Sequence, residues 1–139
     1  MKFSEFKKKY KVQFSVDENR YVIAKLKEAP KFSDEIFAII RDNKEVTIIA
    51  KEGFQTQPIS EEKFFDLITF SATLPFDLIG FLSHISRLLA SKNIPIFTIS
   101  AFSTDHLLVR DKDLSSAVQI LEKDGMYKVS LSKNSSMAN

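Results

Sequence analysis

Two prolines, Pro75 and Pro95, constrain the fold of this 139-residue chain more than any other feature. Pro75 drives Leu74 out of helical geometry, because the proline ring crowds the backbone before it. Between the prolines, Leu78, Leu82, Ile85 and Leu89 recur at helical spacing, and Phe81 and Leu88 widen that face. Asn93 suits a left-handed terminator, and Pro95 bars continuation. One helix is therefore delimited at both ends, and what surrounds it must be something else.

The surroundings read as strands. Before the helix, Lys63 to Thr73 is rich in β-formers: Phe64, Phe65, Ile68, Thr69 and Phe70. After it, Ile96 to Phe102 carries apolar residues on both faces, as a central strand would. Ser103-Thr104-Asp105 makes a corner, and His106 to Arg110 is the next strand. Asp111 or Asp113 opens a second helix on Leu114, Ala117, Val118 and Leu121, which Gly125 closes. Tyr127, Val129 and Leu131 alternate with polar residues in a last strand. The order is β-α-β-β-α-β, the ferredoxin-like pattern, with an antiparallel sheet and helices on one face.

The first half is less complete. Val12, Phe14 and Val16 alternate with polar residues in a strand, and Asp17-Glu18-Asn19 supplies turn chemistry before a second strand over 21–26. Ser33 suits an N-cap for a short helix carrying Ile36, Phe37 and Ile40 and ending near Asn43. Glu45 to Lys51 is a strand, and Gly53 and Pro58 punctuate the connection that follows. The expected division is residues 1–60, residues 61–132 and a polar tail over 133–139. The Lys-rich segment MKFSEFKKKYK is expected to be solvated, since so short a helix is marginal in water.

The stretch DLIGFLSHISRLLASKNIPIFTIS resembles the signature of ACT domains, in which an acidic residue, two spacers and a glycine open the first helix. ISAFSTDHLLV, with the helix beginning DKDL, is similar to a narrower branch of small bacterial tandem-ACT proteins related to CASTOR-type amino-acid sensors. The resemblance covers residues 12–131 and is strongest from Phe64 onward. It implies an α+β, ferredoxin-like fold of tandem ACT-like halves. It also implies a regulatory protein that binds a small molecule, an amino acid above all, at a domain or subunit interface. A homodimer acting on a separate regulated protein is the implied assembly. The competing reading is a ligand-free ACT-like dimerisation or interaction module.

The candidate ligand-binding residues fall at two edges of the 76–110 stretch. Gly80 costs a helix about 1 kcal/mol relative to alanine and so asks for a reason. Either a ligand carboxylate approaches the helix start closely, or a neighbouring element packs there. Asp77 is a cap or a ligand contact, and Leu78 and Ile79 offer backbone N–H groups. At the other edge, Asp105 either bonds its own turn or holds a ligand ammonium beside Thr104. The resemblance favours the second role, with Thr98 and Ser100 as further lining. His106 stands where the branch often carries an aromatic residue.

Other functions find little support. A net charge of +2 is too small to suggest a nucleic-acid partner, and the glycines Gly53, Gly80 and Gly125 build no RNA-binding signature. Without cysteine there is no disulfide, thiolate nucleophile or cysteine-based metal centre, which fits a cytoplasmic protein. No apolar run approaches the ~20 residues needed to span a membrane, and no secretory h-region is present. No nucleophile elbow, phosphate loop or HExxH motif occurs, so no catalytic residue, cofactor or metal is expected. His84 and His106, in different elements, read as solvated or packed imidazoles.

Overall fold

The structure is a computed structural model and describes residues 1–70 and 74–130. Its helices are α1 (Phe3–Lys9), α2 (Phe81–Ala90) and α3 (Leu114–Lys123), the last preceded by a 3-10 turn over Asp111–Asp113. Its strands are β1 (Gln13–Leu26), β2 (Ile36–Arg41), β3 (Val46–Lys51), β4 (Ser60–Phe70), β5 (Phe97–Ser100), β6 (Asp105–Arg110) and β7 (Tyr127–Lys128). The class is α+β. Two compact units divide the chain: one joins Met1–Asp17 to the chain from Leu67 onward, and the other is Glu18–Asp66. Strands β1 and β4 each contribute residues to both.

The first unit carries the ferredoxin-like order β4-α2-β5-β6-α3-β7. Strand β6 lies between β4 and β5, and β5 pairs with it antiparallel, Phe97 opposite Leu108 and Ser100 opposite Asp105. Strand β7 pairs in parallel with the start of β1, Gln13 opposite Tyr127. The core is a relay of phenylalanine rings: Phe14 against Phe70 at 6.5 Å between centroids, Phe70 against Phe81 at 5.0 Å, and Phe81 against Phe3 at 5.1 Å. Ile85 and Leu89 from α2 and Ala117 and Leu121 from α3 complete it.

Two expectations need correction here. Ile96–Phe102 is not a central strand; β5 is a short strand at the end of the order, with Thr98 and Ser100 exposed. The doubly buried run is Leu107-Leu108-Val109, three consecutive apolar residues, whereas Thr98 and Ser100 interrupt the other run in the one-sided alternation of an edge. The lysine-rich terminus is not merely solvated either: Phe3 and Phe6 are buried in the core. A seven-residue helix is unstable alone, and tertiary packing of its aromatic face supplies what propensity lacks.

The second unit is built of strands, with β3 between β2 and β1 and antiparallel to both. Val22, Ala24, Leu26, Ile36, Val46, Ile48 and Ala50 form its core. The helix expected after Ser33 is strand β2. Ser33 does accept the N–H of Glu35 on its hydroxyl and that of Ile36 on its carbonyl, as a helix opener would. The β-branched Ile36, Ile39 and Ile40 then favour extended backbone. A hairpin follows, turned by Asp42, whose Oδ1 accepts the N–H groups of Lys44 (2.7 Å) and Glu45 (2.9 Å). Those bonds hold the Asp42 carboxyl below the usual carboxylate range.

The hairpin expected at Asp17-Glu18-Asn19 is likewise absent, because β1 runs unbroken from Gln13 to Leu26. Three polar residues with no glycine do not impose the left-handed backbone of a tight hairpin. Along β4, Phe64 is a non-glycine residue at φ 66°, a strained conformation for an aromatic side chain. The parts of two expected strands at residues 71–73 and 131, and the polar tail over 133–139, lie outside the described residues. Among the described residues, no helix is long and apolar enough to cross a membrane.

Candidate functional site

A cavity of about 400 Å³ opens in the first unit between the segment leading into α2 and the hairpin joining β5 to β6. Register explains the hairpin: Ser100 pairs with Asp105, and the Ala101 N–H donates to the Thr104 carbonyl at 2.8 Å. Leu74 N–H donates to the Ser103 carbonyl at 3.2 Å, tying the hairpin to the opposite wall. Backbone hydrogen bonds therefore connect residues that line the cavity.

The opposite wall is shaped by where α2 can begin. The Leu78 N–H donates to the Pro75 carbonyl at 3.0 Å, and the Ile79 N–H to the Met1 carbonyl at 3.0 Å. In return the Phe3 N–H donates to the Ile79 carbonyl at 2.7 Å, which makes a parallel bridge to the N-terminal segment. With residues 78 and 79 engaged, the helix starts only at Phe81, and its N-cap is Gly80 at φ 92°, without a side-chain cap. Asp77 is thus not the cap of α2; it is exposed and three residues too early. A Cβ on Gly80 would meet nothing within 4 Å, so close packing by a neighbour is not what requires glycine here. The left-handed backbone is.

Gly80, Ser100, Thr104 and Asp105 line the cavity, together with Leu78. Asp77, Ile79 and Thr98 do not, and the N–H groups of Leu78 and Ile79 are spent on other carbonyls. The open donors belong one step later: the N–H groups of Phe81, Leu82 and Ser83, in the first turn of α2, have no intrahelical acceptor. Asp105 is half-buried and is the one charged residue lining the cavity, which Ser83, Ser100, Ser103 and Thr104 also line. At the rim, Phe76 and Phe102 stand 81% and 82% exposed with ring centroids 5.3 Å apart. That exposed pair was missed from the sequence, where Phe102 falls in the run expected to be a central strand and Phe76 has no assigned role.

Beneath the hairpin lies His106, buried, with Nδ1 2.8 Å from the Thr69 hydroxyl and Nε2 3.0 Å from that of Thr104. Burial lowers its pKa, against a smaller opposing pull from Asp105. A neutral ring between two hydroxyls, one nitrogen donating and one accepting, fixes the Thr104 side chain at the cavity. His84 instead bonds Asp124, Nε2 to Oδ2 at 2.8 Å. Among the described residues no group of histidines and carboxylates could hold a metal.

Residues 60–123 match an ACT domain. The ACT-matching segment contains β4, α2, β5, β6 and α3, and with them every residue that lines the cavity. Among solved structures, a protein of Agobacterium tumefaciens is similar at 25% identity and a TM-score of 0.76, covering 88% of this chain and 96% of that one. A Vibrio cholerae protein of unknown function aligns at 21% identity and a TM-score of 0.64, over 78% of this chain and 85% of that one. The ligand-free regulatory subunit of aspartate kinase from Thermus thermophilus shares the fold at 8% identity and a TM-score of 0.58, over 79% and 94%. No curated protein matches the sequence.

Proposed function

We propose that this chain is a non-catalytic regulatory protein that binds a free amino acid in the cavity beside Asp105. The observation that carries the reading is the polarity of that cavity. A single carboxylate, Asp105, lies on one wall, and the uncapped first turn of α2 lies on the other. An α-amino acid has the matching pair of charges: its ammonium bonds Asp105 and its carboxylate takes the N–H groups of Phe81 to Ser83. A volume of about 400 Å³ falls in the usual range of small-molecule sites. The ACT match and the regulatory-subunit neighbour support a regulatory role in the same direction.

Under this reading the chain acts as a homodimer on a separate protein, with the ligand shifting the balance between two packing arrangements by its differential affinity. Titration calorimetry across the proteinogenic amino acids, read beside thermal shifts, tests it. One or a few are expected to bind, and Asp105→Asn to weaken that binding about tenfold or more, the worth of one charge-assisted hydrogen bond. Should no amino acid raise the melting temperature at millimolar concentration, the reading fails. The exposed Phe76–Phe102 pair favours a second reading, a ligand-free interaction module, in which Asp105→Asn leaves self-association and stability unchanged while Phe102→Ser disrupts association.

A further inference from the structure

We propose that the groove between α1 and α2, which adjoins the cavity beside Asp105 at Gly80 and Ser83, binds a small molecule carrying an oligophosphate chain. It holds about 660 Å³ and no carboxylate lines it. Its walls follow from helix periodicity. Ser4, Lys7 and Lys8 lie on one face of α1 at i, i+3 and i+4, and Ser83 and Arg87 on one face of α2 at i and i+4. Lys2 closes the end, beside the backbone bridge to Ile79. Four cations of a chain whose net charge is only +2 are thus gathered on one concave surface.

The cations are not there to balance one another's neighbours. Lys7 pairs with Asp124 at 2.8 Å, and the same oxygen bonds His84 Nε2. Among the described residues no ion pair engages Lys2, Lys8 or Arg87. Like charges facing one groove repel, and a polyanion is what relieves them. Phosphate oxygens suit the donors present: a guanidinium fork, ammonium groups and two serine hydroxyls. The 62% exposed Ile79 adds an apolar surface for the organic part of such a molecule. A membrane surface fits less well, because Phe3 and Phe6, the apolar face of α1, are buried in the core rather than free to insert.

Titration calorimetry of the full chain at low ionic strength, with ATP and with tripolyphosphate, tests this. Both probes are expected to bind and to weaken as salt rises. Substituting Lys8→Gln and Arg87→Gln together should weaken each by about tenfold per cation removed. Both side chains are exposed, so the melting temperature of the double variant should match that of the parent. Asp105→Asn should leave oligophosphate binding intact, which separates this site from the amino-acid cavity. Tighter binding of ATP than of tripolyphosphate supports an organic moiety read by Ile79, and equal binding supports recognition of the phosphate chain alone. Absence of binding by both probes, undiminished binding in the double variant, or equally tight binding of a polyglutamate peptide each overturns the proposal.

Discussion

Gly80 is where the demands of backbone and site meet. Its φ of 92° lies in a region that a side chain resists, yet a Cβ there would touch nothing. The cost of replacing it is therefore conformational rather than steric. Gly80→Ala is expected to lose about 1–2 kcal/mol of stability in denaturant unfolding, and Gly80→Asn less, because asparagine tolerates the left-handed region better. An equal loss for both would mean that space, not φ, decides. The residue was recognisable from sequence as an oddity in a helix start. Its reason was not, since the competing demand comes from Met1 and Phe3, far away along the chain.

At the scale of elements, local signals worked where both ends of a segment were punctuated and failed where only one was. Asn93 at φ 58° and Gly125 at φ 98° end their helices as their chemistry suggests. Ser33 also behaves as a helix opener for its first two donors, but nothing at the far end demanded a helix, and β3 offered β2 a partner. Helix α1 is the opposite case. Its propensity is slight, and its existence rests on Phe3 and Phe6 reaching the core. Phe3→Ala should cost about 3 kcal/mol or more in global stability and remove the helical signal of the N-terminal segment, as read by amide exchange. Retention of that helix in the variant would show that packing is not what maintains it.

At the scale of the molecule, the ferredoxin-like order was legible because turn chemistry and periodicity mark it locally. Pairing Gly80 with Thr104 and Asp105, which line one cavity, rested on the family resemblance, since turn chemistry alone reads Asp105 as an ordinary turn residue. The strand-only second unit and the Phe76–Phe102 rim were not legible, since both depend on long-range pairing. One property of the whole follows from a single ring. His106 is buried with a pKa below its ordinary 6.5, so the unfolded chain takes up a proton there before the folded one does. Its contribution to stability is full above the unfolded pKa and falls away as pH drops through the folded value. Chemical unfolding between about pH 7 and 5 should show stability declining with acidity, and His106→Gln should flatten that decline. An unchanged slope in the variant would assign the effect to other groups.

The division of the chain also sets an order of events. The unit Glu18–Asp66 is continuous in sequence, whereas the other needs its first seventeen residues joined to the chain beyond Leu67. A ribosome therefore finishes every residue of the continuous unit while Phe3 still lacks its partner ring Phe81, and Phe6 the core that both share with it. Until α2 is synthesised, Phe3 and Phe6 lack that face of their core, so residues 1–17 complete their packing after Glu18–Asp66 has been made.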